Sequence, residues 1–232
     1  MKTNEVYPMK RRFVKTRRRR IFLPLLFVAA ILFVPRIAGV LPPPPASGAS
    51  SAWNLVLVNP AHRLSESDAP ALTELRNGER VDTRIYPVLQ EMFDEMRAQG
   101  VYPVVASGYR TTEEQQALMD DKIETLVAQG SSRADAKAEA LKWVAAAGYS
   151  EHQTGLAVDI NADGVHSTGQ QVYDWLAKNA AAYGFIQRYP EDKTEITGTH
   201  YEPWHYRYVG KEAAEAIARQ GVCLEEYLDE AA

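Results

Sequence analysis

Cysteine is nearly absent, with Cys223 alone among 232 residues, so no disulfide can form within the chain and no disulfide-scaffold class applies. Val222 and Leu224 flank it, which suits a small packed hydrophobe better than a reactive thiol. No glycine-rich phosphate loop and no internal repeat occurs, which argues against phosphate-loop and solenoid architectures. With 46% hydrophobic and 24% charged residues the chain is neither collagenous nor disordered throughout. Its length suits one globular domain with an appendage.

Charge is unevenly spread. Residues 1–45 carry 10 of the 26 Lys and Arg but one of the 30 acids, Glu5, which leaves 16 basic against 29 acidic residues and a net of −13 for the rest. A domain that acidic repels phosphate backbones, so nucleic acid is not an expected partner. The basic cluster finds its explanation in the segment that follows it. Arg17 to Arg20 abut an apolar stretch over residues 21–41 that is broken only by Pro and Arg36. About 20 apolar residues cross a bilayer, and flanking cations stay on the cytoplasmic side. The expected organisation is a basic cytoplasmic tail over residues 1–20, a transmembrane anchor over 21–41, a Pro/Ser/Gly-rich spacer over 42–52, and a domain over 53–232 outside the membrane. A cleaved signal over the same apolar stretch, leaving a secreted domain, is the alternative.

Within the domain, residues 55–58 read as a short strand ended by Asn59-Pro60. Ile85, Val88, Leu89, Met92 and Met96 keep helical spacing up to Gly100. Residues 101–106 predict a buried strand, followed by a helix capped at Thr111 or Thr112. A second helix is expected over 132–146, and Leu156, Val158 and Ile160 alternate as one face of a strand. A helix over 169–183, short strands over 185–188 and 204–208, and a last helix over 211–219 complete the pattern. No βαβ order repeats, so the expected class is α+β, a small and mainly antiparallel sheet flanked by helices.

Five histidines occur, and two have chemically suggestive neighbours. His152 lies in Ser150-Glu151-His152-Gln153-Thr154-Gly155-Leu156-Ala157-Val158-Asp159, and His205 in Glu202-Pro203-Trp204-His205. Strand alternation turns Asp159 away from the apolar face, while Gly155 lets the chain bend between His152 and that strand. A catalytic zinc takes three protein ligands and keeps an open position. His62 and His166 read as loop residues, and the aromatics around residues 201–208 as packing or cleft walls.

These segments, together with Ser107-Gly108-Tyr109-Arg110, resemble the VanY-like D-alanyl-D-alanine carboxypeptidases in motif, order and approximate spacing. The resemblance covers about residues 53–229, and it implies a hedgehog/D,D-peptidase-type fold. It also implies His152, Asp159 and His205 as zinc ligands, Glu202 as general base, and Arg110 as the cation that polarises the scissile carbonyl. The implied activity is zinc-dependent removal of a terminal D-alanine from peptidoglycan stem peptides, with D,D- and L,D-specificity both open. A same-fold endopeptidase, a D,D-dipeptidase and a non-catalytic peptidoglycan-binding module are the competing readings. Gln115, Ser150, Gln153 and Tyr201 flank the motifs and are candidate substrate contacts. Glu151, beside His152, is the carboxylate that could replace Glu202 as base.

Overall fold

The computed structural model describes residues 53–65 and 69–230. The basic tail, the apolar segment and the spacer lie outside the described residues, and among those described no helix is long and apolar enough to cross a membrane. The domain is α+β, with antiparallel sheets flanked by helices. A hairpin of β1 (Leu72–Glu74) and β2 (Arg80–Asp82) precedes α1 (Tyr86–Ala98). Then come β3 (Pro103–Ser107), α2 (Thr112–Ala128), α3 (Arg133–Ala140), a 3-10 turn (Glu151–Thr154) and β4 (Ala157–Ala162). The chain continues through α4 (Gly169–Asn179), β5 (Phe185–Gln187), α5 (Thr194–Thr197), β6 (His205–Tyr208), α6 (Lys211–Gln220) and α7 (Leu224–Glu230).

β3, β4, β6 and β5 form one antiparallel sheet in that spatial order. Its strands are three to six residues long, too short to stand without a partner layer. That layer is α1 and α4. Leu89, Met92, Phe93 and Met96 of α1, with Val172, Trp175 and Leu176 of α4, bury against Val105, Val158, Ile160, Phe185 and Tyr206. The alternation expected for β4 holds, with Val158 and Ile160 in this core and Asp159 on the other face.

Local chemistry sets several boundaries. Thr111 accepts from the Glu114 N–H while Glu114 accepts from the Thr111 N–H, a closed capping box that starts α2. Gly155 takes φ +71, and a Cβ there would lie 3.0 Å from the Asp82 nitrogen, so glycine is required at this bend into β4.

Other expectations need correction. Residues 55–58 are not a strand, because the Asn54 and Val56 carbonyls accept from the Arg207 guanidinium at 3.2 and 2.9 Å instead of from a neighbouring strand. The second helix ends at Ala140 and not near 146. Its continuation turns away so that the Lys142 carbonyl accepts from His200 N–H and the Ala145 carbonyl from Gln115. The helix expected to reach Tyr183 becomes 3-10 from Ala180. The hairpin of β1 and β2, and α7, were not expected at all.

Candidate metal centre and active site

The site lies on the sheet face opposite the main core. Register places Ser107 opposite Asp159 and Asp159 opposite His205, after a bulge between Val105 and Ser107. Just beyond β5, Arg188 donates its backbone N–H to the His205 carbonyl at 3.2 Å. Three strands and the residue following a fourth therefore contribute one row, Ser107, Asp159, His205 and Arg188, across this face. His152 enters from the 3-10 turn before β4. Its Nδ1 meets the Gly108 carbonyl at 2.7 Å and its own carbonyl accepts from the Arg110 N–H, so the turn is pinned to the Ser107–Arg110 segment.

His152, Asp159 and His205 each offer one donor atom, and the three donors lie within 4.8 Å of one another. Asp159 Oδ1 stands 3.4 Å from His152 Nε2 and 3.2 Å from His205 Nδ1. Asp159 Oδ1 is nevertheless buried with no hydrogen-bond partner, as is His205 Nε2. An orphaned carboxylate oxygen facing two imidazole nitrogens is costly unless a cation sits among them. Two imidazoles and one carboxylate are also a fitting donor set for zinc.

Electrostatics point the same way. Burial pushes the His152 imidazole towards its neutral form. Burial alone would raise Asp159, but the two imidazoles hold its carboxyl well below the usual range. His205, which burial would lower, is pushed up to about 9 by Asp159 and Glu151.

Glu202 is 7% exposed and puts Oε2 3.6 Å from His205 Nδ1, on the same side of that ring as Asp159. Its backbone is tied to the Tyr189 carbonyl and the His205 N–H. Burial raises its carboxyl to about 7, with the Asp159 charge adding to that rise and His205 and Arg110 opposing it. This is a carboxylate able to take and return a proton near neutrality. Arg110 is held by three bonds, from Nε to Ser107 Oγ (3.0 Å), from Nη1 to Gln115 Oε1 (3.2 Å) and from Nη2 to Asp159 Oδ2 (3.1 Å). His152, Asp159, His205, Glu202, Arg110 and Gln115 line a cavity of about 240 Å³, whose wall also includes Leu118, Trp143, Ser150, Thr199 and Trp204.

The substrate-contact candidates separate. Ser150 and Gln115 line the cavity, but the Gln115 amide is engaged at both ends, by Arg110 and the Ala145 carbonyl, so it props the wall. Gln153 does not line it, and its amide joins Gly148 N–H to Thr112 Oγ1. Tyr201 is 43% exposed and outside the lining. Glu151 cannot stand in for Glu202, because it faces His205 Nε2 on the far side of the ring and is gripped by Arg188 and Arg207. Sequence reasoning missed Trp143 and the two arginines. Arg207 could have been found by its two-residue spacing from His205, which gives both one strand face.

A buried donor triplet, a carboxylate poised to exchange a proton and an anchored guanidinium define a single-metal hydrolase centre. Comparison with known proteins then gives the family. Residues 78–211 match the family model for VanY, D-alanyl-D-alanine carboxypeptidase. The chain belongs to that family. A D-alanyl-D-alanine carboxypeptidase of Enterococcus faecalis is 60% identical over 182 residues, 78% of this chain and 68% of the relative. Among solved structures, VanYB in complex with D-alanine-D-alanine is 61% identical with a TM-score of 0.76, covering 77% of this chain and 98% of that one. A vancomycin-resistance D,D-pentapeptidase VanY variant in complex with Zn(II) is 60% identical with a TM-score of 0.75, covering 76% and 99%.

Proposed function

We propose that His152, Asp159, His205, Glu202 and Arg110 carry out the reaction of this family. The chain is a zinc D-alanyl-D-alanine carboxypeptidase, which removes a C-terminal D-alanine from peptidoglycan stem peptides. The observation that carries the residue assignment is the orphaned Asp159 Oδ1, which faces two imidazole nitrogens at a donor triplet with Glu202 beside it.

Zinc held by His152, Asp159 and His205 would supply a Lewis acid that acidifies a water and polarises the scissile carbonyl. Glu202 accepts the proton of the attacking water at its carboxylate and returns it to the leaving amine of D-alanine. Arg110, fixed through Ser107, Gln115 and Asp159, presents positive charge to the developing oxyanion without reorganising. Burial of His152, His205 and Glu202 strengthens each of these interactions by excluding bulk water.

The finer reading is a D,D-exopeptidase. D,D-specificity is supported by the likeness, at 60–61% identity, to a VanY D,D-pentapeptidase and to VanYB in complex with D-alanine-D-alanine. Action at a chain end is supported by the wall on one side of the cavity, where the Trp143 ring meets that of His200 at a tilt, centroids 4.5 Å apart, and His200 N–H donates to the Lys142 carbonyl. Residues 142–145 and 199–200 are thereby joined into one wall, which favours a substrate that ends at the site. We further propose that residues 21–41 anchor the chain in the membrane with the catalytic domain outside, on the strength of the basic cluster before them.

Mass spectrometry of defined tri-, tetra- and pentapeptide stems tests the substrate. The expected result is loss of one D-alanine from the pentapeptide stem alone. Equal cleavage of a stem extended beyond its terminal D-alanine would overturn the exopeptidase reading. Protease added to intact protoplasts should destroy the domain, and its survival would refute export.

A further inference from the structure

Behind the metal centre, on the side of His205 away from the cavity, lies a buried group of four charges. Glu151 Oε1 accepts from Arg188 Nε at 2.8 Å and from Arg207 Nη1 at 2.9 Å. Both arginines and the Glu151 side chain are fully buried. Arg188 spends its other two nitrogens on Glu225 of α7, at 2.8 and 2.6 Å, and Glu225 also accepts from Asn59 Nδ2 at 3.0 Å. Arg207 reaches the Asn54 and Val56 carbonyls. Two carboxylates and two guanidiniums cancel, so the group is neutral and nearly every donor is used.

One atom in it is left over. Glu151 Oε2 is buried without a partner and stands 3.6 Å from His205 Nε2, itself without a partner. The opposite nitrogen of that ring, Nδ1, faces Asp159 and Glu202. A carboxylate behind a ligating imidazole draws the proton to the far nitrogen, leaves the near one free to bind metal, and fixes the ring plane.

We infer that Glu151 is a positioning residue that aims His205 Nδ1 at the metal, and that α7, through Glu225 and Arg188, forms part of the frame holding it. This rests on the assignment of His205 as a ligand. It makes the C-terminal helix, absent from every motif, a determinant of metal affinity. Glu151→Gln keeps the shape but offers an amide that can donate to Nε2 and so favour the wrong tautomer, and it leaves the buried group with a net positive charge close to a cation.

The experiment measures zinc affinity of the full chain by competition with a chromophoric chelator, together with the rise in melting temperature on adding zinc. Glu151→Gln should weaken zinc binding about 10- to 100-fold, the usual cost of losing such a partner. Glu225→Gln, which still accepts from Arg188 and is the gentler change, should weaken it by up to about tenfold. Lys193→Ala, which removes the ion pair that Lys193 makes with Glu226 of the same helix α7 without touching the chain to His205, should leave zinc affinity at the parental level. A purely structural role would lower the melting temperature of the metal-free variants while leaving zinc affinity and the zinc-induced rise at parental values. That outcome, in Glu225→Gln alone if Glu151→Gln does not fold, overturns the inference. A parent that binds no zinc overturns the ligand assignment with it, whereas a parent that binds zinc as tightly as both variants overturns this inference alone.

Discussion

Replacing Glu202 with Gln separates proton transfer from everything else the site does. The backbone anchors, Tyr189 carbonyl and His205 N–H, are untouched, and the amide matches the carboxylate in size. It cannot accept the proton of water. Loss of a general base costs about 10²–10⁴ in rate, or roughly 2.7–5.4 kcal/mol in the barrier. Because the same carboxyl returns the proton to the leaving amine, the upper part of that range is expected. Stability should move the other way. Burial lifts the folded carboxyl to about 7 from an ordinary 4.5, so the folded state holds the proton more tightly than the unfolded chain. The contribution of this group to stability is therefore present below pH 4.5 and is lost as pH rises through 7. At pH 8 the metal-free Gln variant, spared that loss, should melt no lower than the parent. D-Alanine release from a pentapeptide stem, zinc content and melting curves from pH 4 to 8 are the assays. Turnover above about a tenth of parental, with zinc bound, would refute Glu202 as base.

The metal centre should hold one zinc per chain, measured by elemental analysis, and chelation should abolish activity and lower the melting temperature. His152→Ala and His205→Ala should each lose both zinc and turnover. Gln115→Ala strips one support from Arg110 and the bond to the half-buried Ala145 carbonyl, so stability should fall by about 0.5–1.5 kcal/mol. Its kcat/KM should drop about 10- to 100-fold with zinc retained, as a misplaced guanidinium would cause. Leu89→Ala, in the main core and remote from the cavity, should cost about 2–5 kcal/mol, or about 2–4 °C of melting temperature per kcal/mol, while zinc stoichiometry stays at one.

The sequence carries its chemistry in short, local patterns. His152 and Asp159 are seven residues apart around a glycine bend, and Glu202 and His205 are three apart, so their grouping is visible before any fold is known. The α1 spacing and the β4 alternation are equally direct, because one face of each meets the core. What was not visible is what depends on distant partners. β1 and β2 are three residues each, too short for alternation to register. Residues 55–58 have the composition of a strand, yet the Val56 carbonyl, like that of Asn54 before it, answers to Arg207, some 150 positions away. The end of α3 is decided by Gln115 and His200, neither of which belongs to that helix. Glu225 looks like one acid in an acidic tail until Arg188 is placed against it.

The division of labour in the sheet explains why this fold can hold such a site. β4 has two faces, and the same register that puts Val158 and Ile160 into the core puts Asp159 opposite His205. A slip of one residue would reverse both at once, burying a carboxylate among Leu89 and Met92 and turning valine into the cavity. Ligand geometry is therefore as secure as the core packing, and selection for one maintains the other. The bulge between Val105 and Ser107 serves the same end, since it restores Ser107 to the row facing Asp159, where its hydroxyl can accept from Arg110. His152, Arg110 and Glu202 reach the site from outside regular strands, and all three are pinned by backbone hydrogen bonds, His152 and Arg110 to each other and Glu202 to Tyr189. A site made in this way has little freedom to loosen locally. Substitutions that disturb it without touching it should then be found in the α1 and α4 layer and behind His205, rather than in the exposed face of α2.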